Sequence, residues 1–364
     1  MIGSESFTKK TRQLSVIPGT KPSVQNAQLL VSTGIPSLDF ILGGGQAVGT
    51  LLLIEEDNFN EYANIVLKYF LAEGAVSGHS LFFGSLEGNT ESLLDELPAP
   101  VSLSDQGVKN TQNDIADSLK IAWRYENKNP INTELENRNV FGHNFDLSKI
   151  IDANILSKIN ICYWNEHQNL HNECNSYYEN LLLKLANEID NNNFATQSNI
   201  KLADRNILRV AIQSLASPFW KNNSECTSFH NFCTFLYKFK ALIRSAFAVA
   251  IVSVPAHIMR DQNILKLHHI ADICVGLESF TGSERATNPL FKEYNGLFHV
   301  YKVASINSLA PSSLHYKDLA FKLRRKKFCI EKLHLPPELQ ESSEREQDDL
   351  AIPSCGTKNH LLEF

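Results

Sequence analysis

Apolar and polar positions along the chain fall into two alternating patterns. Short, nearly continuous apolar runs such as Thr50–Glu55 (TLLLIE) suit strands buried on both faces. Longer stretches with apolar residues three and four apart, such as Tyr62, Ile65, Val66, Tyr69, Phe70 and Ala72, suit amphipathic helices. The same reading places strands at Ser80–Leu86, Leu119–Tyr125 and Asn206–Leu215, and in the run FAVAIVSVPAHI from Phe247. It places helices at Glu91–Leu97, stopped by Pro98, at Tyr177–Ile189 and at Phe229–Phe247. Gly74 and Gly78 offer helix-ending positions before the second strand. A helix-and-strand unit follows at Ile264–Leu277, and the runs LFHVYKVAS and FKLRRKKFCIEKL alternate as antiparallel strands do. Strands alternating with helices predict an α/β fold with a mainly parallel twisted sheet flanked by helices.

The pattern also sets boundaries. Residues 1–27 read as a disordered basic tail and 337–364 as a disordered acidic one, with a single domain over 28–336. Within it, residues 126–205 are rich in Asn and poor in periodicity apart from one helix, which predicts a surface insertion. The sequence contains no internal repeat.

Composition narrows the classes. With 364 residues and a net charge of −6, the chain has room for a sizeable core and does not advertise a nucleic-acid binder, although local basic patches remain compatible with that balance. No apolar run reaches the ~18 residues that span a membrane. The polar start of the chain offers no hydrophobic segment for a secretory signal. Seven cysteines without a CxxC pair predict reduced thiols and an intracellular setting.

The candidate chemistry begins at Leu38–Gly49, LDFILGGGQAVG, just before the first buried strand. In phosphate-loop proteins of the RecA and KaiC kind, a segment LDxLLGGGxxxG leads into the strand that delivers the loop. The alternative is a plain glycine-rich turn. A working loop needs G-x-x-x-x-G-K-[ST]: glycines let backbone N–H groups surround the phosphates, lysine neutralises charge, and the hydroxyl holds magnesium. Placed without a gap, the loop here is EDNFNEYA, Glu56–Ala63. Glu56 and Glu61 stand in the glycine positions, Tyr62 in the lysine position and Ala63 in the hydroxyl position. The strand that would place a magnesium-binding Asp reads LRVAIQSL, with Gln213 in that position. Both changes predict a degenerate phosphate loop and no nucleotide hydrolysis by this chain alone.

Five phrases extend the comparison: LLVSTGIPSLDFILGGGQAVGTLLLIEED, LKYFLAEGAVSGHSLFF, LKIAWRY followed by FGHNFDLSK, ILRVAIQSLASPFW, and FKLRRKKFCIEKLHLPPE. Together they resemble the Elongator subunit 4 family over most of residues 29–337, with 150–205 matching poorly. The resemblance implies a RecA-like fold and a non-catalytic subunit of a heterohexameric ring, two copies each of subunits 4, 5 and 6. Such a ring sits on the catalytic subunits 1, 2 and 3, binds tRNA and supports carboxymethyl-type modification of the wobble uridine. The resemblance further implies cytoplasmic and nuclear pools and a past connection with transcription elongation. No cofactor is expected on this chain alone, ATP being compatible only with the assembled ring. A ring-interface ATPase and a purely structural adaptor are the alternatives.

Other side chains carry two readings each. Lys322, Arg324, Arg325, Lys326 and Lys327 form a dense basic cluster that contacts tRNA phosphates or makes the solvated face of an edge strand. Cys162, His167, His171 and Cys174 superficially suit zinc, but their spacing matches no common finger, so no metal site is expected. His143 and Asp146 read as loop-ordering groups, with Asp146 or Ser148 capping a following helix. Trp123, Trp164 and Trp220 read as core or interface anchors.

Overall fold

The computed structural model describes residues 17–23, 28–87, 90–101, 141–165, 177–198, 201, 204–220, 229–288, 291–307 and 318–334. The strand expected at Leu119–Tyr125, Trp123 and the acidic stretch 337–364 lie outside them.

The chain opens with β1 (Thr20–Pro22), β2 (Leu29–Val31), α1 (Pro36–Ile41) and β3 (Gln46–Ala47), and β1–β2–β3 make a small antiparallel sheet. The long apolar run forms β4 (Leu51–Glu55), followed by α2 (Glu61–Val76), β5 (Ser80–Gly84), α3 (Thr90–Asp95) and β6 (Pro98–Pro100). Next come β7 (Phe145–Ile150), which pairs with β6, then α4 (Ala153–Leu156), β8 (Ile161–Trp164) and α5 (Tyr177–Asn191). The remainder is β9 (Leu208–Ile212), α6 (Phe229–Arg244), β10 (Ala248–Val254), α7 (Asp261–Ile270), β11 (Ile273–Ser279), β12 (Gly296–Lys302), β13 (Leu319–Arg324) and β14 (Lys327–Lys332).

Nine strands form the main sheet in the order β14-β13-β12-β11-β4-β10-β9-β5-β8. From β11 to β8 every pairing is parallel, and β12 to β14 extend one end antiparallel. The α/β class and mainly parallel sheet read from the pattern are present. Central strands are apolar on both faces because helices cover both. In β4, Leu52 and Ile54 join a core under α2, while Leu51 and Leu53 join a second core under α5, α6 and α7.

Four expectations need correction. Ile17 is buried in the α2-side core and Thr20–Pro22 pairs with β2, so the end of the presumed basic tail is folded. The presumed surface insertion supplies β8, an edge strand of the main sheet, and α5, whose Leu181 and Leu185 are fully buried. The helix is the one expected at Tyr177–Ile189; what the Asn-rich stretch hid is the short strand and the place of both in the core. FKLRRKKFCIEKL is two strands, β13 and β14, joined by a tight turn at Arg325–Lys326. Gly74 lies inside α2 and does not end it: a Cβ there would stand 2.6 Å from Arg209 Cδ. Gly78 does follow the helix end, with φ of +74°.

Arg209 explains that close approach. It is fully buried on β9 and donates from Nη1 to the carbonyls of Ser32 (2.9 Å) and Phe70 (3.0 Å) and from Nε to His79 Nδ1 (3.0 Å). Its guanidinium lies 4.8 Å from the Phe70 ring centre. Burial, then the adjacent guanidinium, push the His79 pKa down to about 3, so His79 stays neutral and accepts. Glu73 and Asp39 supply the opposing charge: burial lowers the Arg209 pKa to about 10, and these two carboxylates pull it back up. Glu73 also accepts from the His143 backbone N–H (3.0 Å), and Asp39 accepts from Thr33 N–H (2.7 Å), ordering the turn before α1. One buried cation thus ties β2, α2, β5 and β9 together at the amino ends of the strands.

Replacing Arg209 with Met is expected to lower unfolding free energy by about 3–5 kcal/mol, because Glu73 and Asp39 are left without their buried counter-charge. Urea denaturation at neutral pH checks it; a loss below about 1 kcal/mol would show that the network contributes little.

Candidate functional site: the acidic phosphate-loop position

β4 lies between β10 and β11 in the parallel part of the sheet, and its carboxyl end feeds directly into the loop before α2. Open α/β sheets bind ligands at this kind of crevice. The start of α2 has backbone N–H groups that need acceptors and a partial positive charge. In this chain Asp57 meets that need. Its Oδ2 accepts from Glu61 N–H (3.1 Å), and its Oδ1 accepts from Tyr62 N–H (3.0 Å) and Ala63 N–H (3.2 Å). Asp57 is 1% exposed. A carboxylate of the chain itself sits where an anion would.

The loop closes around that carboxylate. Asn60 takes a left-handed conformation (φ 54°), its N–H donates to the Asp57 carbonyl at 2.9 Å, and its side-chain amide donates to Ser214 Oγ at 2.8 Å. The Glu56 N–H bonds the Val254 carbonyl at 2.9 Å, which fixes the loop to β10. The Glu56 carboxyl is buried, and burial pushes its pKa up to about 7, against the pull of hydrogen bonds from Ser253 and Ser214.

The other replaced positions point different ways. Tyr62 does not face the loop: it is 5% exposed and its ring lies 4.7 Å from Phe321, in the core. Ala63 is fully buried and Glu61 is exposed. Gln213 donates from Nε2 to Asn64 Oδ1 at 2.9 Å, so two neutral amides meet there in place of a charge and a cation. Among the described residues no ion pair reaches Glu56, Asp57 or Glu61. Among the described residues the arrangement places acidic groups and no ion-paired cation where a phosphate would lie, which does not fit a magnesium nucleotide.

The basic cluster is divided by the structure. Lys322 is 6% exposed, bonded to Glu331 (2.8 Å) and Glu293 (3.2 Å), and lies 4.4 Å from the Tyr294 ring centre. Burial opposes its charge, but hydrogen bonds to those two carboxylates outweigh this and raise its pKa. Lys322 is therefore an internal ion-pair residue, not a phosphate contact, and it lies on the strand next to the edge strand. Arg324, Arg325 and Lys326 are exposed at the β13–β14 turn, Lys326 standing 3.8 Å from Asp146, and Lys327 is half-buried. Arg324 and Arg325 line a groove with Ile65, Lys68, Leu147 and Ile150.

The remaining candidates resolve locally. His143 Nδ1 pairs with Glu73 at 3.1 Å, and that hydrogen bond raises its pKa. Asp146 accepts from Ser148 N–H (2.9 Å) inside β7, and Asp152, not Asp146 or Ser148, caps the following helix. Cys162 lies on β8, His167, His171 and Cys174 fall outside the described residues, and no metal-holding group of His, Cys, Asp and Glu occurs among the described ones. Trp164 and Trp220 are buried and stacked 5.3 Å apart. Sequence reading missed Asp57 and Arg209. An Asp four residues before the helix start was the available signal for the first, and a charged residue inside an apolar strand run for the second.

The PAXNEB protein family model matches residues 13–364. Elongator complex protein 4 of Danio rerio is 41% identical over 99% of this chain and 96% of its own length. The human Elongator complex protein 4 is 40% identical over 96% of this chain and 89% of its own. The chain belongs to the Elongator complex protein 4 family. Family membership reaches as far as Saccharomyces cerevisiae, whose Elongator complex protein 4 is 23% identical over 94% of this chain and 81% of its own. Among solved structures, a KaiC-like protein from Pyrococcus horikoshii aligns with a TM-score of 0.45 at 15% identity, covering 83% of this chain and 98% of that one. In this Elongator complex protein 4 family member, the loop between β4 and α2 is the one built around Asp57.

Asp57→Ala is expected to cost roughly 1–2 kcal/mol of unfolding free energy, with Asp57→Asn costing less because an amide oxygen still accepts. Equal losses for the two substitutions in urea titrations would contradict the capping role. For Glu56, the folded pKa near 7 exceeds the 4.5 of an ordinary glutamate, so the folded state holds its proton longer. Its favourable contribution is full below pH 4.5 and declines to a plateau above pH 7. The loss across that window is on the order of 3 kcal/mol. Glu56→Gln is expected to remove this slope; an unchanged pH profile of stability would show that Glu56 titrates normally.

Proposed function

We propose that this chain is a non-catalytic subunit of an Elongator complex, acting in a hexameric ring with subunits 5 and 6 alongside the catalytic subunits 1, 2 and 3. The ring binds tRNA and supports carboxymethyl-type modification of the wobble uridine, in cytoplasmic and nuclear pools. The family relationship supports the assembly. The observation that carries the non-catalytic assignment is the Asp57 carboxylate at the start of α2, bonded to three backbone N–H groups. A triphosphate there would have to displace a covalently tethered anion and meet the acids Glu56 and Glu61, with Tyr62 and not a lysine at the position that would offset charge.

The chain alone is assigned no cofactor, and ATP use is left to sites that the other ring subunits complete. Co-purification with subunits 5 and 6 tests the assembly, and nucleotide titration of this chain alone tests the loop. Tight Mg-ATP binding by the isolated chain would defeat the non-catalytic reading, and failure to assemble would defeat the ring.

For RNA contact, the exposed turn residues Arg324 and Arg325 are assigned in place of the buried Lys322. The double substitution Arg324→Glu and Arg325→Glu is expected to weaken tRNA binding by the assembled ring about tenfold. It should also flatten the salt dependence by roughly two phosphate contacts. Binding curves at several salt concentrations check this, and an unchanged salt slope with an intact ring would remove the turn from the interface.

A further inference from the structure

Beside the β13–β14 turn, residues of α2, β7 and β13 line a groove of about 710 Å³. Its apolar surface is aliphatic: Ile65, Leu147 and Leu323 are half-buried, and Ile150 is 66% exposed. Its rim is cationic. Lys68 is paired with Glu96 at 2.6 Å, but among the described residues no carboxylate pairs with Arg324 or Arg325, and both are exposed. An open aliphatic surface with charge at its rim is the form of a protein-contact site.

The chemistry of the groove selects its occupant. A phosphate backbone matches the two guanidinium groups and leaves Ile150 bare. A peptide in which carboxylates run directly into aliphatic side chains matches both. The chain carries such a peptide beyond its last described residue, His334: Asp348 and Asp349 are followed by Leu350, Ala351 and Ile352. They close a run that also holds Glu338, Glu341, Glu344 and Glu346 against a single cation, Arg345.

Connectivity allows the meeting. β14 is the end strand of the main sheet; Lys327 adjoins the turn, and Lys332 ends the strand. A strand of that length spans about 20 Å. Residues 335–348 can extend about 45 Å, enough to return along it. A tethered segment meets its own chain at an effective concentration of about 1 mM, so modest contacts suffice.

We propose that the acidic segment 338–352 docks in this groove of its own chain, with Asp348 and Asp349 on Arg324 and Arg325 and with Leu350 and Ile352 on the aliphatic surface at Ile150 and Leu147. The docked segment occupies the arginines that the proposed function gives to RNA. That consequence rests on the RNA reading; the docking itself does not.

The test uses the full chain without RNA, with the photocrosslinker p-benzoylphenylalanine in place of Ile150. Irradiation is expected to join position 150 to a peptide within 338–352. Mixing unlabelled and nitrogen-15-labelled chains shows whether the two belong to one molecule. The double substitution Asp348→Asn and Asp349→Asn should lower the yield about fivefold, the worth of two exposed ion pairs. Salt at about 1 M, where charges are screened within about 3 Å, should act in the same direction. A probe at Ser148, also exposed on the groove, repeats the readout at a second position. Crosslinks to residues 102–140, crosslinks between two copies, no crosslink from either position, or a yield indifferent to both the substitutions and salt would each overturn the proposal.

Discussion

Three backbone N–H groups at the start of α2 have no partner within their own helix, and the Asp57 carboxylate takes all three. The rest of the site follows from that interaction. A helix that starts at the carboxyl end of a central parallel strand directs its positive end into the crevice above the sheet. Some anion stabilises that end, and here it is part of the chain. Once it is built in, the loop gains nothing from glycines at Glu56 and Glu61 or a lysine at Tyr62. Those positions are released to serve the fold: Tyr62 packs on Phe321, and Glu56 ties the loop to β10.

The two ends of the parallel sheet handle charge in opposite ways. At the amino ends, Arg209 is buried, with Nη1 and Nε donating to two carbonyls and His79 and with Glu73 and Asp39 as counter-charges. Such a network positions elements, since it fits only when β2, α2, β5 and β9 sit in one arrangement. In the loop after β4, Glu56, Asp57 and Glu61 gather with no ion pair among the described residues, and Gln213 and Asn64 meet beside them as neutral amides. The first end acts as a clamp, and the second presents acidic groups at the start of α2. The turn through Ser214 is joined to the acidic loop, because Asn60 bonds it directly.

Much of this was legible from residues alone. The run LLLIE could only be a strand covered on both faces, and the spacing in α2 could only be a helix against a sheet. The loss of the glycines, lysine and hydroxyl at Glu56, Glu61, Tyr62 and Ala63 was readable as a loss. What replaced them was not, because Asp57 is an ordinary acidic residue until the helix start comes within reach of its oxygens. The basic run misled for a similar reason. Strand alternation puts Lys322 and Arg324 on one face, and segment 291–295, far along the chain, supplies Glu293 and Tyr294 to cover only the first of them.

The sequence by itself determined the α/β class, the parallel core and which residue types stand at the loop after the first buried strand, because periodicity and residue type are local properties. Tertiary structure decided which carboxylate would stand in for the anion, which lysine would be internal and which arginines would line a groove. Those outcomes depend on distances between segments up to hundreds of residues apart, and no local pattern encodes them.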